Sequence, residues 1–425
     1  MDKKKILVYA HYYYPDVAST AQIYQELFEG MSNTFDITII CTVPSYLGTI
    51  EEKYKVQRFY YENINGINLV RVRVPEFSKS NKKSRIMNII SYYFGARKAT
   101  KTLGAFDYIF TLSQPPILGG MLGVYGKKKK KAKLIYNIQD FNPEQVMATG
   151  FTKSKLIINS LMWLDKKSCI NSDLVITVGK DLVETVYKRF TNKKGMISKK
   201  CPKTVMINNW INEEEIFPLD PGNSNVSEFK KKNGLENKFL IMYSGNMGLY
   251  YDLENILKVI ERIKPGTKTN DGRDVAFVFV GAGTVLNKLE RYTKEHDMTN
   301  VFFLPYQPKE KLIYSLNAAD VHLCVNAKGI KGVSCPSKYY GIAAVAKPII
   351  GVLESGTEIR SIIEETNGGL VSNPGDYDGL LTNIKYFINN AEKISLYGSN
   401  SYTNLVKYLT KSISINKYVE EIEKL

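Results

Sequence analysis

Phe239-Leu240-Ile241-Met242-Tyr243 runs straight into Ser244-Gly245-Asn246-Met247-Gly248. A short apolar run that ends in a glycine-bearing loop reads as a buried strand and the turn at its carboxyl end. The pattern recurs twice downstream. Residues 275–280 lead into Gly281-Ala282-Gly283, and residues 348–353 lead into Glu354-Ser355-Gly356-Thr357-Glu358-Ile359. In a doubly wound sheet, the loops at the carboxyl ends of parallel strands line the crevice where a ligand sits. Glycine allows close backbone approach, and N–H groups at a helix start favour phosphate. Three such loops in one stretch point to a phosphate-bearing small molecule of nucleotide type. Gly281-Ala282-Gly283 falls short of the dinucleotide fingerprint, because Thr284, Val285 and Leu286 follow where a third glycine is needed.

Outward from these loops, strands and helices alternate in both directions. Apolar strand candidates follow at 301–303, 321–325, 349–353 and 369–371, and precede at 6–10, 36–42, 69–74, 108–112, 134–138, 174–178 and 205–207. Helical spacing marks 19–31, 85–102, 116–125, 154–169 and 180–189. Such alternation predicts mostly parallel sheets covered on both faces. A polar, lysine-rich stretch near residue 200 and a polar segment at 213–232 with Pro218 and Pro221 interrupt the rhythm. The expected organisation is a first domain over 1–203, a second over 204–390, and a helical tail over 391–425 that packs back on the first domain.

Length and composition agree with this. The chain has 425 residues, too many for one typical core; 44% hydrophobic and 24% charged residues suit a globular protein. The formal net charge is +16, with no nucleic-acid-reading motif, so anionic lipid is a better partner than nucleic acid. Lys127 to Lys131 with Lys133 form a dense basic run. Residues 81–101 mix Lys82, Lys83, Arg85, Arg97 and Lys98 with Ile86, Met87, Ile89, Ile90, Tyr92, Tyr93 and Phe94, as suits a helix at a lipid interface. The competing reading is a core-facing helix and a solvated loop. Five dispersed cysteines without a CxxC pair fit a reducing cytoplasm, and three histidines make a His-rich metal site improbable, so no metal is expected. The apolar run 6–10 is too short for a signal peptide, and no segment of bilayer-spanning length exists.

Several marks taken in order resemble a known family. They are Tyr12-Tyr13-Tyr14-Pro15-Asp16, Val43-Pro44-Ser45-Tyr46, Asn137-Ile138-Gln139-Asp140-Phe141-Asn142-Pro143-Glu144, Asn208-Asn209-Trp210-Ile211, the Gly245 and Gly281 loops, Val301-Phe302-Phe303-Leu304-Pro305-Tyr306, Ala319-Asp320-Val321, Pro336-Ser337-Lys338 and Lys347-Pro348-Ile349-Ile350. Over residues 5–380 the chain resembles the retaining, nucleotide-sugar-dependent glycosyltransferases of family 4. Within them it is similar to the branch that builds bacterial surface polysaccharides, including fucosamine-type transferases. The resemblance implies the GT-B fold: α/β, two Rossmann-like domains facing a cleft. It implies a hexosyl or amino-sugar transferase with no cofactor, using a nucleotide-sugar donor (a UDP-sugar preferred) and a lipid-linked oligosaccharide or glycan acceptor. The setting it implies is capsule or O-antigen synthesis at the inner face of the cell membrane, beside other polysaccharide-assembly enzymes. One departure stands out. The wider family carries two glutamates eight positions apart where this chain has Val333 and Gly341.

The donor residues expected on this reading are Ser244, Gly245, Asn246, Gly248, Gly281, Gly283, Tyr306, Ser337, Lys338, Gly356, Thr357 and Glu358. Loop amides and Lys338 would stabilise the departing diphosphate. An ordinary tight turn and a solvated lysine are the bland alternatives. Catalytic or acceptor-binding roles fall to Asp140, Glu144 and His11, against the alternatives of a helix cap, a first-turn glutamate and a structural histidine. Three other functions stay open: a non-catalytic GT-B partner subunit, a sugar-nucleotide epimerase of the same fold, and an NAD-dependent oxidoreductase, which the incomplete glycine fingerprint disfavours.

Overall fold

The structure is a computed structural model that describes residues 3–16, 19–78, 81–148 and 154–425. The chain divides into two compact units, Met1–Asn208 with Ser412–Leu425, and Asn209–Lys411. Each is built around one sheet.

The first sheet contains β1 (Lys5–Tyr9), β2 (Asp36–Thr42), β3 (Phe59–Ile64), β4 (Ile67–Val72), β5 (Tyr108–Leu112), β6 (Lys133–Ile138), β7 (Leu174–Thr177) and β8 (Thr204–Met206), in the order β3-β4-β2-β1-β5-β6-β7-β8. All neighbours are parallel except β3 and β4. The sequence reading missed β3. The hairpin has Ile64 opposite Ile67, with Asn65 and Gly66 at φ 51° and 81°. Asn-Gly is the residue pair a two-residue turn of this hand prefers. As an edge strand, β3 carries several exposed or half-buried positions, so it lacks the apolar density of its neighbours.

The second sheet contains β9 (Lys238–Ser244), β10 (Asp274–Val280), β11 (Val301–Leu304), β12 (Val321–Val325), β13 (Ile349–Val352) and β14 (Gly369–Ser372), ordered β11-β10-β9-β12-β13-β14 and parallel throughout. Alternate residues of β9 serve opposite faces. Phe239, Ile241 and Tyr243 join one buried cluster with Leu253, Ile256, Leu257, Leu380 and Ile384. Leu240 and Met242 join another with Ala276, Val278 and Val280. A strand buried on both faces must read as a continuous apolar run, which is why 239–243 is so legible.

The tail splits. The helix Ile394–Tyr408 stays with the second unit, where Ser401 Oγ donates to Gly368 O at 3.2 Å. Most of the helix Lys411–Glu423 belongs to the first unit. Tyr418 is buried, and its hydroxyl accepts from Asn137 Nδ2 at 2.8 Å, while Asn137 Oδ1 accepts from the Tyr24 hydroxyl at 2.8 Å. A Cβ on Gly30 would stand 2.7 Å from Ile415 Cδ1, so a larger residue there would force the Ile415 side chain to shift. Truncating a buried aromatic leaves a cavity and here also orphans a buried amide. Tyr418→Ala is expected to destabilise the first unit by about 3–5 kcal/mol in denaturant unfolding.

Candidate functional site

Counted within the second unit, the strand order is 3-2-1-4-5-6, and it reverses between β9 and β12. Ligands of such sheets bind outside the carboxyl ends of the strands at this reversal. The Gly245 loop leaves β9 there, and the segment after β12 brings Lys338 to it. Gly245 has φ +143°, and a Cβ on it would stand 2.6 Å from Lys338 Cε. Gly281 has φ +141°, and its Cβ would stand 2.1 Å from Gly245 O. A Cβ on Gly283 would meet Met247 O at 2.2 Å. Gly281 and Gly283 are therefore required by loop-on-loop packing, and Gly245 by its positive φ.

That packing corrects one expectation. The sequence reading offered the amides of 244–248 to a phosphate. Gly245 N–H donates to Val280 O at 2.9 Å, Met247 N–H to Ala282 O at 2.8 Å, and Gly281 N–H to Leu304 O at 2.8 Å. These three amides extend the sheet's bonding into the loops. Among the described residues, the N–H groups of Asn246 and Gly248 have no such carbonyl partner.

Lys338 opens the short helix Lys338–Ala344, with the exposed Ser337 before it. Its ammonium lies 3.8 Å from the Tyr251 ring centroid and 5.1 Å from that of Tyr243. The side chain is half-buried, and no carboxylate among the described residues pairs with it. Desolvation lowers its pKa to about 8. Two ring faces partly replace the lost hydration. Tyr251 was not legible as a site residue, because its place under the lysine depends on the turn Leu249–Tyr251. Tyr306 is exposed beside Gly281, and its hydroxyl lies 3.5 Å from Ala282 O.

A second basic group gathers at the loop after β13. Glu354 Oε2 accepts from the N–H groups of Gly329 and Lys331 at 2.9 Å each, and Lys331 Nζ donates to Ser355 O at 2.6 Å. Lys331 Nζ comes within 2.7 Å of a Cβ placed on Gly356. Thr357 precedes the helix Glu358–Thr366, and Glu358 is buried in its first turn. Val333 and Gly341 are buried apolar positions, and no acidic side chain stands at either.

In the first unit, the order reverses between β1 and β5. A cavity of about 220 Å³ opens there, lined by His11, Tyr12, Phe77, Arg85, Asn88, Ile89, Gln114, Pro115, Pro116, Asn142 and Gln145. His11 is buried between Tyr12 and Tyr92, and burial lowers its pKa to about 4, so the imidazole is neutral near pH 7. Asp140 is half-buried, two residues beyond β6. Glu144 differs from expectation. Its carboxylate is gripped by Arg189 through bonds of 2.6, 2.7 and 3.0 Å, and Arg189 also pairs with buried Asp165. The guanidinium further donates to Asn142 O and lies over the Phe141 ring. Glu144 thus ties the 141–148 segment to the helix Lys180–Phe190. Its position and Asp140's do not fall among the residues lining the cavity, whereas His11's does.

The basic run also reads differently in place. Lys127–Lys130 form the last turn of the helix Leu118–Lys130, where positive charge meets the helix dipole. Lys127 pairs with Asp173 at 2.7 Å, and Lys130 donates to Leu103 O. Lys128, Lys129 and Lys131 remain exposed.

Residues 225–408 match the family model described as glycosyl transferases group 1. The chain is 26% identical over 316 residues to "Probable glycosyltransferase WbjE" of Pseudomonas aeruginosa, covering 71% of this chain and 72% of that protein. It is 21% identical over 397 residues to "Putative colanic acid biosynthesis glycosyl transferase WcaI" of Escherichia coli K12, covering 90% and 91%. Among solved structures, sucrose-phosphate synthase from Thermosynechococcus elongatus superposes with a TM-score of 0.76 at 13% identity, over 99% of each chain. Anabaena Alr3699/HepE in complex with UDP-glucose superposes at 0.68 and 13%, over 99% and 100%. The two Rossmann-like units anticipated from the sequence are thus the fold of these proteins. Over residues 225–408, the chain is thus similar to the glycosyl transferases group 1.

Proposed function

We propose that this protein is a glycosyltransferase that moves a sugar from a UDP-sugar to a lipid-linked glycan acceptor in the synthesis of a bacterial surface polysaccharide. The observation that carries the reading is Lys338, a half-buried cation with no counter-ion, held against the Gly245 loop where the second sheet reverses order. Such a group is suited to the negative charge that develops on a departing nucleoside diphosphate. The N–H groups of Asn246 and Gly248 and the ammonium of Lys331 supply further positive potential. Tyr306 offers a ring to the base, and Glu358, with Gly356 and Thr357, an acidic contact for the donor. The solved HepE complex with UDP-glucose and the names of WbjE and WcaI support the donor type and the pathway class.

In the reaction proposed, the bond from the anomeric carbon to the diphosphate oxygen breaks, and a bond to the acceptor hydroxyl oxygen forms on the same face. The hydroxyl proton passes to the departing phosphate, and same-face bond formation retains the anomeric configuration. Asp140 is the carboxylate this reading keeps for the acceptor once Glu144 is assigned to Arg189. Asp140→Asn is expected to slow transfer more than it weakens donor binding, read from kcat against UDP Kd. A second reading, a donor-binding subunit without turnover, is favoured by Val333 and Gly341. Release of UDP from a donor by the purified chain would eliminate it.

Lys338 gives the sharpest test. Its charged form is disfavoured in the free protein and favoured by a bound anion, so affinity for UDP should fall as pH rises through about 8. The second phosphate ionisation is complete by about pH 7, so the lysine dominates above it. Calorimetry should find UDP bound more tightly at about pH 7 than at about pH 9.5. Lys338→Ala should weaken binding at neutral pH by about tenfold or more, or 1.4 kcal/mol, and flatten the pH dependence. Equal affinity in both proteins would remove Lys338 from the site.

The reading includes reversible attachment to an anionic membrane. No helix among the described residues is long and apolar enough to cross one. The helix Lys82–Thr102 contains no acidic residue and exposes Ile86, Met87, Ile90 and Phe94. The helix Lys155–Asn171 exposes Leu156, Ile157 and Trp163. Exposed lysines contribute about 1 kcal/mol each near anionic lipid. Replacing Lys128, Lys129 and Lys131 with Gln should therefore reduce partition onto phosphatidylglycerol vesicles by on the order of a hundredfold. Unchanged sedimentation with the vesicles would count against the patch.

A further inference from the structure

The cavity in the first unit has a chemical bias that the reading above does not use. Arg85 is the one cation that lines it, and no lining residue is acidic. Among the described residues, Arg85 forms no ion pair with a carboxylate. The remaining polar surface is amide and imidazole: Asn88, Gln114, Asn142, Gln145 and His11.

The state of His11 follows from its neighbour. Asn88 is buried, and its Nδ2 donates to Pro75 O at 2.8 Å, which turns Oδ1 toward His11 Nε2 at 3.3 Å. A carbonyl oxygen accepts, so Nε2 carries the hydrogen, and Nδ1 of the neutral ring is an acceptor. Nδ1 has no partner among the described residues. On a ring that lines the cavity, this acceptor suits a ligand that brings a hydroxyl donor.

Resting on the glycosyltransferase reading, we propose that this cavity is an acceptor subsite for an anionic sugar, in which Arg85 pairs with a phosphate or carboxylate on the sugar and His11 Nδ1 accepts a hydrogen bond from a sugar hydroxyl. Guanidinium matches either anion through two parallel N–H donors, which an amide or a lysine does not reproduce. Tyr12 and Phe77 supply apolar wall, and the amides can satisfy further hydroxyls. The phosphate of a lipid-linked sugar and the carboxylate of a uronic sugar present the same chemistry to Arg85.

The test uses the full chain saturated with UDP, so that phosphate sites in the second unit are filled. Glucose, glucuronate and glucose 6-phosphate are titrated by ligand-observed NMR. At least one anionic sugar is expected to bind about tenfold or more tightly than glucose. The preference should fall to within about twofold in Arg85→Gln and be partly kept in Arg85→Lys. His11→Gln should weaken neutral and anionic sugars alike. UDP affinity should stay unchanged in Arg85→Gln, which reports that the variant is folded. Preference for the phosphate alone assigns a lipid-phosphate acceptor, and preference for the carboxylate alone assigns a uronic sugar. Equal binding of all three sugars, no binding of any, or a preference that survives in Arg85→Gln overturns the proposal. Should UDP itself fail to bind, the donor reading falls, and the same sugar titration still reads the cavity.

Discussion

The second unit depends on one close approach. The carbonyl oxygen of Gly245 sits where a side chain on residue 281 would begin, 2.1 Å from that position. The contact lets the loops after β9 and β10 bond to each other and to β11, using amides that a phosphate would otherwise claim. It also fixes the wall against which Lys338 is laid. A lysine placed there loses water on most sides and gains two tyrosine rings in exchange. The result is a cation whose charge is costly in the free protein and easily stabilised by an anion. The geometry that makes the site is therefore a packing constraint first and an electrostatic device second.

Each unit has a cation where its strand order reverses, in different surroundings. In the second unit the group at that position is a desolvated cation in a glycine-built notch. In the first it is a single guanidinium in a cavity of amides and a buried neutral imidazole. Charged side chains near that cavity are largely spent on structure. Arg189 alone holds Glu144 and Asp165, so the 141–148 segment is tied down by a buried ion-pair cluster whose cost in desolvation is met by several hydrogen bonds.

The sequence exposed what depends on local pattern. Strands buried on both faces are unbroken apolar runs, so β9, β10, β12 and β13 stood out, and the glycine loops after β9, β10 and β13 marked the carboxyl end of the sheet. Lys338 was legible through the Pro336-Ser337 that precedes it. The β3–β4 hairpin was overlooked, although Asn65-Gly66 signals it, because β3 is a half-exposed edge without that apolar density. The helical tail was also legible as helix, while its division between the two units was not.

What the sequence determined by itself was fold class and the location of the glycine loops at the carboxyl ends of the second sheet's strands, since periodicity and glycine placement are properties of neighbouring residues. What only the tertiary structure decided was the employment of individual polar groups. Glu144 is bound to a partner 45 residues away, Lys127 to one 46 away, and the amides of Gly245 and Gly281 to strands that are adjacent only in space. Asn88, bonded across 77 residues, sets which nitrogen of His11 can accept. Hydrogen bonds and ion pairs act over a few ångströms, and chain separation carries no record of which groups folding will bring that close.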